Sequence, residues 1–116
     1  MKCKAGKEQE YVRKHQLLMY SFCNVDIDPP PTEDERMLCD ATWKQHKQAG
    51  IKNYSIFMKG TDLYAYFESE DCSRSLDLAT VGEIGRKWQD FMSSILEQEN
   101  NKPVFDIIDS EVFHMD

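Results

Sequence analysis

Two stretches, 53–59 (Asn-Tyr-Ser-Ile-Phe-Met-Lys) and 63–68 (Leu-Tyr-Ala-Tyr-Phe-Glu), decide the fold of this chain. Both are rich in aromatic and aliphatic residues, and the turn between them, 59–62 (Lys-Gly-Thr-Asp), contains a glycine. Two such runs joined by a short glycine-containing turn predict an antiparallel β-hairpin. Because side chains alternate between the faces of a strand, every second residue of the second stretch is expected on one face: Leu63, Ala65 and Phe67.

A helix is predicted before the hairpin, over residues 7–19. Tyr11, His15 and Leu18 recur at spacings of four and three residues, so they share one helical face. Three prolines at 29–31 then interrupt the chain, because proline lacks an amide donor and restricts the residue before it.

A second helix is predicted between the prolines and the hairpin. Thr32 and Glu35 form a capping-box pattern, in which each side chain bonds the amide of the other residue. The helix would run to about Gln48, with Gly50 as its C-terminal stop.

Two more helices are predicted after the hairpin, one over 71–79 and one from a second capping-box pattern at Thr80 to Glu97. The longer helix has an apolar face of five residues at helical spacing: Ile84, Trp88, Phe91, Met92 and Ile95. A weak strand over 1–5 and a closing strand over 111–115 complete the prediction.

This order of elements predicts an α+β fold with the split β-α-β arrangement of ferredoxin-like domains. The length of 116 residues fits a single domain, 1–116. Helices would cover one face of the sheet and leave the other bare and apolar. We therefore expect a homodimer that packs two sheets into an α/β barrel.

Composition and charge exclude several classes of function. The net charge is −7 with no continuous basic patch, so neither nucleic acid nor an anionic membrane is an expected partner. No C-x-x-C pair, metal cluster or phosphate loop occurs in the sequence, so no metal and no cofactor are expected. Scattered thiols and the absence of an apolar signal segment favour the cytoplasm.

Four stretches resemble the rhamnose mutarotase family and occur in its order: 6–15 (Gly-Lys-Glu-Gln-Glu-Tyr-Val-Arg-Lys-His), 49–57 (Ala-Gly-Ile-Lys-Asn-Tyr-Ser-Ile-Phe), 86–92 (Arg-Lys-Trp-Gln-Asp-Phe-Met) and 111–115 (Glu-Val-Phe-His-Met). The resemblance implies a dimeric α+β barrel that interconverts the α and β anomers of L-rhamnose and similar aldoses. Such an enzyme is an isomerase of carbohydrate metabolism that acts on a free monosaccharide.

The resemblance also implies a site. The catalytic histidine of the family matches His15, and its sugar-contacting tyrosines match Tyr11 and Tyr54. Only the second of its paired tryptophans is present, as Trp88, because Lys87 stands in place of the first. A histidine suits mutarotation, since the reaction needs a group that accepts and donates a proton near neutral pH.

Residue types alone leave a structural alternative open for each candidate. His15 also fits a surface histidine in a charged helix, Tyr54 a cross-strand aromatic partner, and Trp88 a core residue. His46 lies among lysines and glutamine and is interpreted as a solvated surface residue. His114, in the predicted closing strand, is a minor candidate for lining the site.

The chain departs from the family between His15 and Trp43. An insert with prolines, about 16–40, stands where the family has a tryptophan within one helical turn of its histidine, and the first strand is short. An insert that displaced the first helix would leave sugar binding without catalysis, since a catalytic group must be held within about 0.5 Å of its working position. The alternative function is therefore a non-catalytic sugar-binding or dimeric interaction module on the same scaffold; a weaker one is a cofactor-free monooxygenase.

Overall fold

The computed structural model describes residues 1–20, 26–100, 102–103, 106, 108 and 111–116. In this part of the chain the regular elements are α1 (Glu8–Gln16), α2 (Glu33–Gln48), β1 (Lys52–Lys59), β2 (Asp62–Glu68), α3 (Cys72–Thr80), α4 (Gly82–Met92), β3 (Gln98–Glu99) and β4 (Lys102–Pro103). A 3₁₀ turn, Leu17–Met19, follows α1. The α+β class is confirmed.

The predicted hairpin is confirmed. β1 pairs antiparallel with β2, with Phe57 opposite Tyr64 and Met58 opposite Leu63. Gly60 makes the turn with a φ of 60°, a left-handed conformation that glycine adopts without steric cost. Leu63 is buried and Tyr64 is exposed, so the two faces of β2 differ as the alternation predicts.

The N-terminal segment lies between the start of β2 and residues 95–97. Lys2 forms an isolated antiparallel bridge with Asp62, and Cys3 forms one with Leu96. The Cys3 amide donates to the Thr61 carbonyl at 2.9 Å. The weak first strand of the prediction is therefore present only as isolated bridges.

The start of α2 agrees with the sequence pattern. The Glu35 amide donates to Thr32 Oγ1 at 3.1 Å, and the Thr32 amide donates to Glu35 Oε1 at 3.0 Å, which completes the capping box. Gly50 follows the helix with a φ of 85°, as a C-terminal glycine does. Residues 21–25 of the insert lie outside the described residues.

The capping box predicted at Thr80 is wrong. Thr80 belongs to the last turn of α3, where its Oγ1 donates to the carbonyls of Leu76 (2.9 Å) and Asp77 (3.2 Å). The N-cap of α4 is instead Val81, which has no side-chain acceptor. A hydroxyl at a helix C-terminus bonds back to the preceding turn, so it cannot cap the next helix.

The predicted ends of the last elements are also wrong. α4 ends at Met92 rather than Glu97, because Leu96 pairs with the N-terminal segment and is buried with Ile95. The closing strand over 111–115 is not formed: residues 111–116 have no regular structure, and Val112 is 95% exposed.

The core consists of three buried clusters among the described residues. The largest joins the N-terminal segment, α1, β2 and residues 92–96, through Cys3, Tyr11, Leu63, Met92, Ile95 and Leu96. The second contains Leu17, Ile27 and Cys39, and the third contains Ala49, Ile51 and Ala79. Trp88 and Phe91 of α4 pack against both of the first two clusters. No helix among these residues combines the length and the apolar character needed to cross a membrane.

Replacement of Gly85 by alanine should destabilise the fold. A Cβ at Gly85 would lie 2.0 Å from the Thr80 carbonyl oxygen, so α3 and α4 would have to separate. Overpacking of this kind costs about 1–3 kcal/mol, a loss that urea unfolding followed by circular dichroism measures directly. Arg86→Ala, at an exposed position of the same helix, is the control and should leave stability nearly unchanged. Equal stability of the Gly85→Ala variant and wild type would contradict this packing.

Candidate functional site

α1 places Tyr11 and His15 one helical turn apart on its inner face. Tyr11 is buried, with 5% of its surface exposed, and His15 is half-buried. Their ring centroids are 4.2 Å apart with an interplanar angle of 30°. The spacing of four residues brings the two rings together, as residues i and i+4 are neighbours on a helix surface.

Trp88 meets His15 from α4. The two ring centroids are 5.6 Å apart and the planes are nearly perpendicular, at 87°. Trp88 also contacts Phe91, with centroids 5.7 Å apart. Trp88 is therefore both a residue that packs against the core and a neighbour of His15.

Strand alternation places Tyr54 on the inner face of β1, the same face as Ile56 and Met58. Lys52 pairs with Glu68 and Ser55 with Tyr66, so β1 carries one extra residue between these pairs. Asn53 adopts a φ of 49° there, a conformation that asparagine tolerates better than most residues. The bulge lies beyond Tyr54: the register of Ser55 with Tyr66, continued by one residue, places Tyr54 opposite Phe67, and the two rings stack with centroids 6.0 Å apart.

The Tyr54 side chain lies at the edge of the packed region. The residue is 45% exposed, and the burial of its remaining surface raises the pKa of its hydroxyl. Burial raises the pKa of Tyr11 as well, and the neighbouring Tyr54 hydroxyl raises it further. Both phenols therefore stay protonated at neutral pH, while the ring contacts of Tyr54 are with His46 and Phe67 and those of Tyr11 are with His15.

The imidazole of His15 is held in its neutral form. Burial lowers the pKa of His15 to about 4; the hydrogen bond to the Tyr11 carbonyl acts in the opposite direction, and His46 lowers the pKa further. Nδ1 lies 3.0 Å from that carbonyl oxygen. Because a carbonyl only accepts hydrogen bonds, Nδ1 carries the proton and Nε2 keeps its lone pair.

His46 is a residue that the sequence interpretation missed. It is half-buried rather than solvated, its Nδ1 lies 2.8 Å from the Thr42 carbonyl oxygen, and its ring meets Tyr54 edge-on with centroids 6.1 Å apart. The sequence does contain a pattern that predicts this burial: Thr42, His46 and Ala49 recur at spacings of four and three, so they share the inner face of α2. His114, in contrast, is exposed in the tail and bonds Asp116, away from these rings.

Lys14 is a second residue without an assigned role in the sequence interpretation. Its side chain is buried, its Nζ donates to the Phe91 carbonyl, and it lies 4.2 Å from the centroid of the Phe91 ring. A cation is favoured at the C-terminal end of a helix, where carbonyl groups are unpaired. Lys14 therefore fixes α1 against the end of α4, next to the contact of His15 with Trp88.

The arrangement brings three of the four predicted residues together, Tyr11, His15 and Trp88, while Tyr54 lies against His46 and Phe67. Among the described residues, no group of three His, Cys, Asp or Glu side chains is placed to hold a metal ion. A neutral imidazole is a group that can accept and return a proton, and protonated phenols can bind hydroxyl groups by hydrogen bonds.

Comparison with known proteins identifies the family. The family model of L-rhamnose mutarotase matches residues 38–115. An L-rhamnose mutarotase of Listeria monocytogenes is 37% identical over 95 residues, which cover 75% of this chain and 88% of that protein. One of Bacteroides thetaiotaomicron is 40% identical over 83 residues, which cover 66% of this chain and 78% of that protein. The chain belongs to the L-rhamnose mutarotase family. No solved structure matches it.

The match to the mutarotase family model does not include all of the candidate residues. It begins at Leu38 in α2, so Tyr54 and Trp88 lie inside the matched range, while Tyr11 and His15 precede it. The assignment of Tyr11 and His15 depends on their resemblance to the Tyr-x-x-x-His element of the mutarotases and on their ring contacts with each other and with Trp88.

The low pKa of His15 should appear as a pH dependence of stability. An unfolded histidine titrates near pH 6.5, whereas folded His15 titrates near pH 4. As the pH falls through this window, the unfolded chain binds a proton that the folded chain does not. The contribution of His15 to stability is therefore present above pH 6.5 and is lost progressively towards pH 4, by an amount on the order of 3 kcal/mol.

Urea unfolding between pH 4 and pH 7 measures this effect. His15→Gln should show a flatter pH dependence than wild type, while the matched control His114→Gln, at an exposed position, should follow wild type. Identical curves for wild type and His15→Gln would show that His15 is solvated.

Proposed function

We propose that this protein is an aldose mutarotase that interconverts the α and β anomers of a 6-deoxy sugar such as L-rhamnose. The observation that carries the proposal is the neutral His15 imidazole held between the Tyr11 phenol and the Trp88 indole. Membership of the L-rhamnose mutarotase family supports the same reaction and the same class of substrate.

The proposed reaction moves one proton and breaks one ring bond. His15 Nε2 accepts the proton of the anomeric hydroxyl, and a C=O bond forms at the anomeric carbon as its bond to the ring oxygen breaks. The ring oxygen takes the electron pair of that bond and receives the proton from the imidazolium. The open-chain aldehyde then turns its other face, and the same steps in reverse close the other anomer.

The remaining candidates are proposed to bind the sugar. Tyr11 and Tyr54 keep their protons at neutral pH, so each hydroxyl can donate a hydrogen bond to a sugar oxygen. The indole of Trp88 offers an apolar surface that suits the C–H face of a sugar ring. The low pKa of His15 keeps Nε2 unprotonated at neutral pH, although it also makes Nε2 a weaker base than a histidine that titrates near pH 6.5.

Saturation-transfer NMR on the anomeric protons of L-rhamnose tests the proposal. Wild type should exchange the two anomers faster than buffer, and His15→Ala should lose on the order of 100-fold or more, the usual contribution of a general acid–base group. His114→Ala is the matched control at an exposed histidine and should keep wild-type exchange. Exchange in the presence of wild type at the rate of buffer alone would refute catalysis. Sugar binding without exchange would then identify the non-catalytic module.

The ferredoxin-like arrangement and the homodimer are part of the same proposal. The N-terminal segment bridges β2 on one side and Leu96 on the other, both antiparallel, which supports the strand order of a split β-α-β unit. The outer face of the hairpin exposes three large aromatic side chains: Phe57 (61%), Tyr64 (56%) and Tyr66 (55%). A contiguous exposed apolar face supports an interface, here between two copies of the chain.

The oligomeric state can be measured by light scattering coupled to size-exclusion chromatography. Phe57→Glu should convert a dimer to a monomer, because it places a charge in the centre of the proposed interface. Met37→Glu is the control, since Met37 is 64% exposed on α2, away from the hairpin. A monomeric wild type would refute the dimer.

A cytoplasmic location is also part of the proposal. Cys3, Cys39 and Cys72 are free thiols, which supports this location.

A further inference from the structure

Arg13 connects α1 to the beginning of α2. Its Nη1 donates to Glu35 Oε2 at 3.1 Å and its Nη2 approaches Glu35 Oε1 at 3.4 Å. The same guanidinium donates to the Pro29 carbonyl, from Nε at 3.3 Å and from Nη2 at 2.9 Å. One side chain therefore holds two points of the insert, its proline segment and the first turn of α2.

Glu35 is fixed from both sides. Its Oε1 accepts the Thr32 amide in the capping box, while both of its oxygens face Arg13. The hydrogen bond from Arg13 is the main cause that lowers the pKa of this carboxyl group. The side chains of Arg13 and Glu35 are only 19% and 20% exposed, so the pair is better shielded from water than an ordinary surface ion pair.

The insert also packs against the candidate site. Leu17, Ile27 and Cys39 form a buried cluster, and the partly buried residues packed on that cluster include Trp88 and Phe91. Trp88 is the ring that meets His15. The insert thus lies behind the indole, and Arg13, two residues before His15 on the same helix, connects the insert to the helix that carries the imidazole.

We propose that Arg13 is a positioning residue: through Glu35 and the Pro29 carbonyl it holds the insert against α1 and so fixes the contact between His15 and Trp88. The expected effect of Arg13 on the rate of anomer exchange rests on the proposed mutarotase function. Its expected effect on the contact between His15 and Trp88 rests on geometry alone. The insert then packs behind Trp88 and stabilises the site, and it does not displace α1 from the scaffold.

The experiment separates positioning from stability. Four variants are compared with wild type: Arg13→Gln, Arg13→Lys, Glu35→Gln and the double variant Arg13→Gln/Glu35→Gln. Two readouts are taken on each, the NMR chemical shifts of the His15 ring protons, which the Trp88 and Tyr11 rings perturb, and kcat and KM for L-rhamnose anomer exchange. Lys87→Gln is the matched control, because it breaks an exposed ion pair with Glu83 of 3.2 Å within α4.

Arg13→Gln should shift the His15 ring protons towards free-histidine values and lower kcat about tenfold or more, since a displacement near 1 Å can cost about 100-fold. Arg13→Lys should restore little of the wild-type His15 shifts or of kcat. An ammonium lacks the planar guanidinium geometry that donates to a carboxylate and a carbonyl at once. Glu35→Gln should show the same direction of change, and the double variant should be no worse than Arg13→Gln. Lys87→Gln should match wild type.

The proposal is overturned if Arg13→Gln keeps the wild-type His15 shifts, whatever its thermal stability. It is equally overturned if kcat of the folded variant is unchanged in an active wild type. An inactive wild type whose His15 shifts still respond to Arg13→Gln would refute the proposed reaction and leave the positioning role intact.

Discussion

The fold and the site both depend on the side of α4 formed by Trp88 and Phe91. These two side chains pack against the sheet-side cluster around Tyr11 and Leu63 and also against the cluster of the insert around Leu17 and Cys39. Lys14 adds a polar connection to the same place, through the Phe91 carbonyl and ring. Because a packed interior transmits small displacements, any change on either side of these aromatic residues reaches the imidazole next to them.

The same packing sets the chemistry of the histidine. Burial removes water from the imidazole and lowers the pKa of His15. Nδ1–H donates a hydrogen bond to the Tyr11 carbonyl one turn earlier, which leaves Nε2 as the acceptor. Neither effect needs a carboxylate partner of the kind that raises the pKa of many catalytic histidines. Burial and the Tyr11 carbonyl together leave a neutral imidazole whose Nε2 can accept a hydrogen bond, and the low pKa makes that nitrogen a weaker base than the nitrogen of an exposed histidine.

Local patterns predicted the local structures. The hairpin, the capping box of α2 and the pairing of Tyr11 with His15 all follow from residues a few positions apart, and all are present. The failures have different causes. The end of α4 depends on the pairing of Leu96 with Cys3, and no periodicity within 80–97 indicates a partner at the other end of the chain. The sequence at Thr80 matches a capping box, but the Thr80 hydroxyl donates to the Leu76 carbonyl of the preceding helix and does not cap α4. His46 was misplaced because lysines beside it in sequence lie on the other side of the helix.

The resemblance to the family implies that residues 16–40 are an insert next to the helix that carries His15. The entropic cost of a longer connection grows only as the logarithm of its length, so adding residues costs little by itself. What matters is whether the neighbouring helix keeps its place. The resemblance to the family implied a tryptophan within one turn of the histidine; here the 3₁₀ turn places Leu17 there, and it is buried against the same aromatic residues of α4. The buried contact of Leu17, the buried Ile27 and the Arg13–Glu35 pair all join α1 or the segment after it to the same part of the fold, so a longer connection is compatible with a fixed position of α1.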